Sequence, residues 1–79
     1  MSRNPDEGTF VICIDNEGYL ASLERYKVYR CLPDLKAAEH GMLRIVDESG
    51  EDYLYPESRF VPIDLPWRAV AAFPPATAA

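Results

Sequence analysis

A chain of 79 residues fits one small domain, and 48% hydrophobic residues make it too apolar for wholesale disorder. No apolar run approaches the ~20 residues of a membrane span. Eight Lys and Arg against thirteen Asp and Glu leave a net charge of −5, which repels polyanions and excludes nucleic acid and anionic membrane as expected partners.

Residues 1–8 are polar, hold Pro5 and Gly8, and lack the apolar stretch of a secretory signal, so they read as a flexible arm on a cytoplasmic protein. Phe10-Val11-Ile12-Cys13-Ile14 is aromatic and β-branched and runs into Asp15-Asn16-Glu17-Gly18, which predicts a first strand over 10–15 and a turn. A stretch without clear period, Tyr19 to Leu23, leads to a second strand over 26–32, Tyr26 to Leu32, stopped by Pro33. Asp34 as N-cap, a run of helix formers and Gly41 at the far end predict a helical turn or two.

Met42 to Asp47 and Asp52 to Tyr55 flank Glu48-Ser49-Gly50-Glu51, the pattern of a hairpin with its glycine in the loop. Pro56-Glu57-Ser58-Arg59 suits a single tight helical turn, and 60–63, Phe60 to Ile63, a short last strand whose Pro62 belongs at an edge. From Asp64 the composition changes. Asp64 is placed to cap a short helix with Trp67, Val70 and Ala71 on one face, and the Pro/Ala-rich residues after Phe73 read as a disordered tail. The fold class is mainly β: a small five-stranded barrel over 9–63, a short helical insert between strands 2 and 3, and a C-terminal segment over 64–79.

Cys13 and Cys31 lie inside apolar runs without the paired spacing of zinc or redox motifs, and read as small reduced core residues. His40 suits a helix C-terminus, where a cation meets the dipole, and has no nucleophile to serve. Asp15, Glu17, Asp47, Glu48, Glu51 and Asp52 crowd into two turns in a spacing that fits no calcium loop, as solvated turn residues do. No phosphate-cradling, hydride-transfer or acyl-transfer motif is present, so neither an enzyme nor a cofactor is expected.

The order of strand, long irregular loop, strand, insert, tight hairpin, one-turn helix and short strand resembles the SH3-like barrel. Leu23-Glu24-Arg25-Tyr26-Lys27-Val28-Tyr29-Arg30-Cys31-Leu32 looks like the segment entering the second strand of that fold. Tyr53-Leu54-Tyr55-Pro56-Glu57-Ser58-Arg59-Phe60-Val61 looks like its distal hairpin running through a proline into the single-turn helix. With the Asp-Glu-Ser-Gly-Glu-Asp turn, the chain is similar to short, mostly uncharacterised bacterial and phage proteins of SH3-like fold, a group without a shared activity to carry over. The polyproline groove of SH3 domains is not implied. Met42 and Leu43 stand where that groove has its tryptophan, and Arg59 stands in place of its tyrosine, although Pro56 matches.

The five tyrosines combine an apolar body with a polar tip. Tyr29 and one of Tyr53 and Tyr55 are expected in the core, with Leu54 on the opposite face of its strand. Tyr19 and Arg59 are expected to approach each other, because the first long loop and the Pro56 turn lie side by side in such a barrel. The candidate surface is therefore Tyr19, Tyr53, Tyr55 and Arg59, a contact patch for an unknown protein or peptide in which truncating Tyr19 or Arg59 is expected to leave the melting temperature nearly unchanged. Trp67 is expected to bury against the barrel. The alternative is an accessory scaffold acting through the Trp67 segment or by self-association, as a monomer or weak homodimer.

Overall fold

The computed structural model describes residues 9–73; the expected N-terminal arm and Pro/Ala tail lie outside them. Five strands form, β1 (Thr9–Cys13), β2 (Val28–Leu32), β3 (Met42–Val46), β4 (Asp52–Pro56) and β5 (Phe60–Ile63). They pair antiparallel in the order β4-β3-β2-β1-β5, and β4 and β5 do not pair with each other, so the sheet is open. The expected strands are all present. The expected closure into a barrel is not seen in the strand pairing.

Cross-strand register places Val11 opposite Tyr29, Cys31 opposite Ile45, Leu43 opposite Tyr55 and Cys13 opposite Phe60. Because side chains alternate along a strand, these residues share one face, and they form the core together with Leu23 from the loop after β1. Leu23 is 0% exposed. Both cysteines are free and buried in this cluster, as expected.

The insert is α1 (Leu35–Glu39), where the Asp34 carboxylate accepts from the Ala37 N–H at 3.0 Å and Gly41 follows with φ +70°. His40 sits at its C-cap, with its Nδ1 2.9 Å from the Lys36 carbonyl. Arg44 of β3 joins Asp34 at 2.8 Å to Asp52 of β4 at 2.9 Å, pinning the cap of α1 to the sheet. A single 3-10 turn, Glu57–Arg59, links β4 to β5.

The end of β1 and the start of β2 each differ from expectation by about two residues, the other strand ends by at most one. β1 ends at Cys13. β2 begins at Val28, because Tyr26 has φ +71° and leaves extended geometry. The Tyr26 N–H donates to the Cys13 carbonyl at 2.6 Å, and the Cys13 N–H donates to the Lys27 carbonyl at 2.9 Å. Two residues thus oppose one, which is a β-bulge whose left-handed first position glycine usually fills.

The C-terminal helix α2 (Trp67–Ala72) corrects two further expectations. It starts after Pro66 without a side-chain cap, so Asp64 does not cap it. Trp67 is 76% exposed. Phe73 does the packing instead: its ring meets Phe10 edge-on at 4.8 Å, and the Arg30 guanidinium lies 4.9 Å from Phe10 and 5.6 Å from Phe73. Phe10 alternates with Val11 and so faces away from the main core, and it is buried by this contact and its neighbours.

Two outcomes test this packing. Phe73→Ala should lower stability by about 1 kcal/mol or more, and Trp67→Ala should stay within about 0.5 kcal/mol of the parent, both read by urea denaturation. In the hairpin, Gly50 has φ +86° with open space where a Cβ would stand. Gly50→Val should therefore cost roughly 1 kcal/mol or more through backbone strain alone.

Candidate functional site

Residues 14–27 leave the sheet and fold back over it, held at both ends of their span. Tyr19 packs edge-on against Tyr55 at 4.9 Å, and Tyr55 in turn against Phe60 at 6.2 Å. The Arg59 guanidinium lies 5.4 Å from the Tyr19 ring, donates to the Glu17 carbonyl at 2.8 Å and pairs with Asp15 at 3.2 Å. Asn16 donates to the Leu23 carbonyl at 3.0 Å, closing the loop on itself.

At its far end the loop is clasped to the β3–β4 hairpin by two tyrosine hydroxyls. Tyr55 has one phenolic proton, which goes to the acceptor-only carboxylate of Asp47 at 2.6 Å; Ser22 Oγ, 2.9 Å away, then donates to Tyr55. The other Asp47 oxygen accepts from the Ser49 N–H at 2.9 Å and the Ser49 hydroxyl at 2.6 Å. Tyr29 accepts from the Glu24 N–H at 2.7 Å and donates to Glu48, whose carboxylate also meets Lys27 at 2.7 Å. The Glu48 N–H donates to the Ser22 carbonyl at 3.0 Å.

Asp47 is 7% exposed, and among the described residues no buried side-chain polar atom lacks a partner. Burial works to raise the Asp47 pKa, but hydrogen bonds from Ser49 and Tyr55 outweigh it and hold the carboxyl below its ordinary 3.8. Glu48 is lowered by its bonds from Lys27 and Tyr29 against a smaller burial effect. Burial first, and then the bond to Glu48, raise the Tyr29 phenol.

Tyr19 and Arg59 do come together across the fold, as expected, and both also hold the loop in place. Tyr19 leans on the core cluster, and Arg59 reaches Asp15 and the Glu17 carbonyl through Nη1 while its guanidinium lies over Tyr19, so both fasten the loop. Tyr55 is buried and out of reach of a ligand. Tyr53 shares its strand face yet lies beyond the covering loop; it is half exposed, and its hydroxyl donates to Glu51 at 3.0 Å. Trp67 is exposed at the start of α2, whose far end packs through Phe73 on Phe10, on the sheet face opposite Tyr55. Among the described residues no three or more of His, Cys, Asp and Glu stand where they could hold a metal ion, and no helix is long and apolar enough to cross a membrane.

Sequence reasoning missed Tyr26. Its ring is 65% exposed and backed by the Arg25 guanidinium at 4.8 Å, and Arg25 is itself fixed by donating to the Ile14 carbonyl at 3.2 Å. Strong β-propensity in Tyr26 to Leu32 concealed the bulge, which depends on how the loop returns to Cys13. Leu20, next to Tyr19 in the chain, is also exposed on this loop.

Removing the clasp should be costly. Asp47→Ala leaves the Tyr55 hydroxyl and the Ser49 amide without their acceptor and should destabilise by ~1–3 kcal/mol. Since the folded-state pKa of Asp47 is lowered, its contribution is complete above 3.8 and is lost as the pH falls through the lowered value. Urea denaturation at neutral and acidic pH should show stability falling with acid in the parent and a smaller fall in Asp47→Ala. Tyr19→Ala should also lower the melting temperature, because its ring packs on Tyr55.

Models of known protein families, curated proteins and solved structures give no match to the chain.

Proposed function

We propose that the protein is a non-enzymatic interaction module: an acidic domain of SH3-like strand order that presents the loop over 14–27 to a protein or peptide. The strand order, the long loop after β1 and the 3-10 turn before β5 support the SH3-like reading. One observation carries the binding reading: Tyr26, an exposed aromatic, occupies the left-handed position of a β-bulge at φ +71°. A bulky side chain there is strained by about 1–2 kcal/mol relative to right-handed geometry, a cost glycine avoids. Strained positions cluster where function requires them, and bulges re-aim side chains beside sites.

Tyr26 and Arg25 together offer an aromatic ring and a guanidinium on a loop fastened by Tyr19, Arg59 and Asn16. A rigid aromatic anchor loses little entropy on binding. The matching partner segment would place an apolar side chain against Tyr26 and a carboxylate against Arg25.

The second reading, an accessory scaffold acting through its C-terminal segment, rests on the exposure of Trp67. Affinity capture from native extract with three baits, followed by calorimetry on the isolated partner, separates the two. On the loop reading, the partner binds the parent and Trp67→Ala equally, while Tyr26→Gly loses tenfold or more in affinity, about 1.4 kcal/mol, with an unchanged or higher melting temperature. Full binding by Tyr26→Gly with loss in Trp67→Ala would instead assign the function to α2.

A further inference from the structure

The two edges of the sheet are not equivalent. Along β5, register and the Ile14 N–H to Arg59 carbonyl bond put Val61 and Ile63 on the side that pairs with β1, leaving Phe60 and Pro62 facing outward. The Phe60 N–H is already taken by the Glu57 carbonyl and Pro62 has none, so this edge offers no donor.

Along β4 the alternation is fixed by two bonds flanking the ladder, Asp47 N–H to the Glu51 carbonyl and Glu57 N–H to the Gly41 carbonyl. Tyr53 and Tyr55 therefore bond inward to β3, and the N–H and carbonyl groups of Asp52 and Leu54 point out. No lysine guards this edge, and both Leu54 and Tyr53 are exposed beside it.

We propose that the β4 edge pairs with β4 of a second copy of this chain, antiparallel about a two-fold axis through Leu54. The strand is self-complementary in that register. Leu54 exchanges both bonds with the partner's Leu54, and the Asp52 N–H meets the carbonyl of the partner's Pro56. Only the reverse bond, for which Pro56 has no N–H, is missing. In this register Tyr53 falls opposite the position of the partner's Tyr55, whose ring stays buried in its own core, so the pairing rests on the backbone bonds. Asp52, held by Arg44 at 2.9 Å, faces no like charge.

Charge limits the affinity. Each copy carries −5, and in this register Glu51 falls opposite the partner's Glu57 at both ends of the ladder. The dimer is therefore weak, strengthens as salt screens these pairs, and is independent of the loop reading above.

Sedimentation equilibrium of the full chain from micromolar to millimolar, with amide NMR spectra over the same range, tests this. A monomer–dimer equilibrium that tightens with salt is expected, with the amide signals of Asp52 and Leu54 moving most. Leu54→Pro removes the outward N–H without touching the β3 ladder and should remain monomeric throughout. Glu51→Lys places opposite charges at both ends and should tighten dimerisation roughly tenfold. A monomer at millimolar concentration, association that leaves the Asp52 and Leu54 amides unmoved, or weaker association in Glu51→Lys would overturn the proposal. Should Leu54→Pro fail to fold, the amide shifts and Glu51→Lys still decide it.

Discussion

The carboxylate of Asp47 is the point on which the architecture turns. A charged group can stay buried only when its lone pairs are filled, and here Tyr55 and Ser49 supply the donors. The same bonds fix the hairpin turn, hold the Tyr55 ring under Tyr19, and bring Ser22 within reach of the Tyr55 hydroxyl. Without that acceptor, Tyr55 would bury an unpaired hydroxyl, and the loop would lose its far anchor.

A second layer of fastening follows from the first. Once the span between Tyr19 and Leu23 is held down, the chain must turn upward at Tyr26 to regain β2, and the bulge against Cys13 is the geometry that accomplishes it. Arg59 holds the near end by a cation placed over an aromatic ring, with Asp15 balancing its charge. Charge neutralisation within the fold thus consumes much of the acidic excess in the two turns: Asp15, Glu48 and Asp52 each face a basic side chain.

The strands, the Asp34 cap and the glycine turn were legible because each rests on short-range chemistry: β-branched runs, a capping oxygen, a residue tolerant of positive φ. The meeting of Tyr19 with Arg59 was legible through the order of elements. What escaped depends on contacts between distant residues. Leu23 lies in a stretch without period and becomes core only because the loop folds back. Asp47 looks like any turn aspartate until Tyr55 reaches it. Phe73, rather than Trp67, covers Phe10, since a six-residue helix directs its end onto the sheet and leaves its start in solvent. For Tyr19 and Arg59 the proximity was legible, but the contacts of Arg59 Nη1 with Asp15 and the Glu17 carbonyl, which tie the pair to the loop, depend on how the loop folds back.

The two buried thiols have a further use. Cys13 sits where β1 meets β5 and the bulge, and Cys31 lies on β2 between Thr9 of β1 and Ile45 of β3, so they mark different places in the sheet. Burial raises the pKa of both, which keeps them as unreactive thiols while the fold is closed. Their alkylation rates consequently act as internal clocks: Cys13 reports how often the first strand parts from its neighbours, Cys31 how often the central seam does, and the ratio distinguishes local fraying from global unfolding without adding a probe.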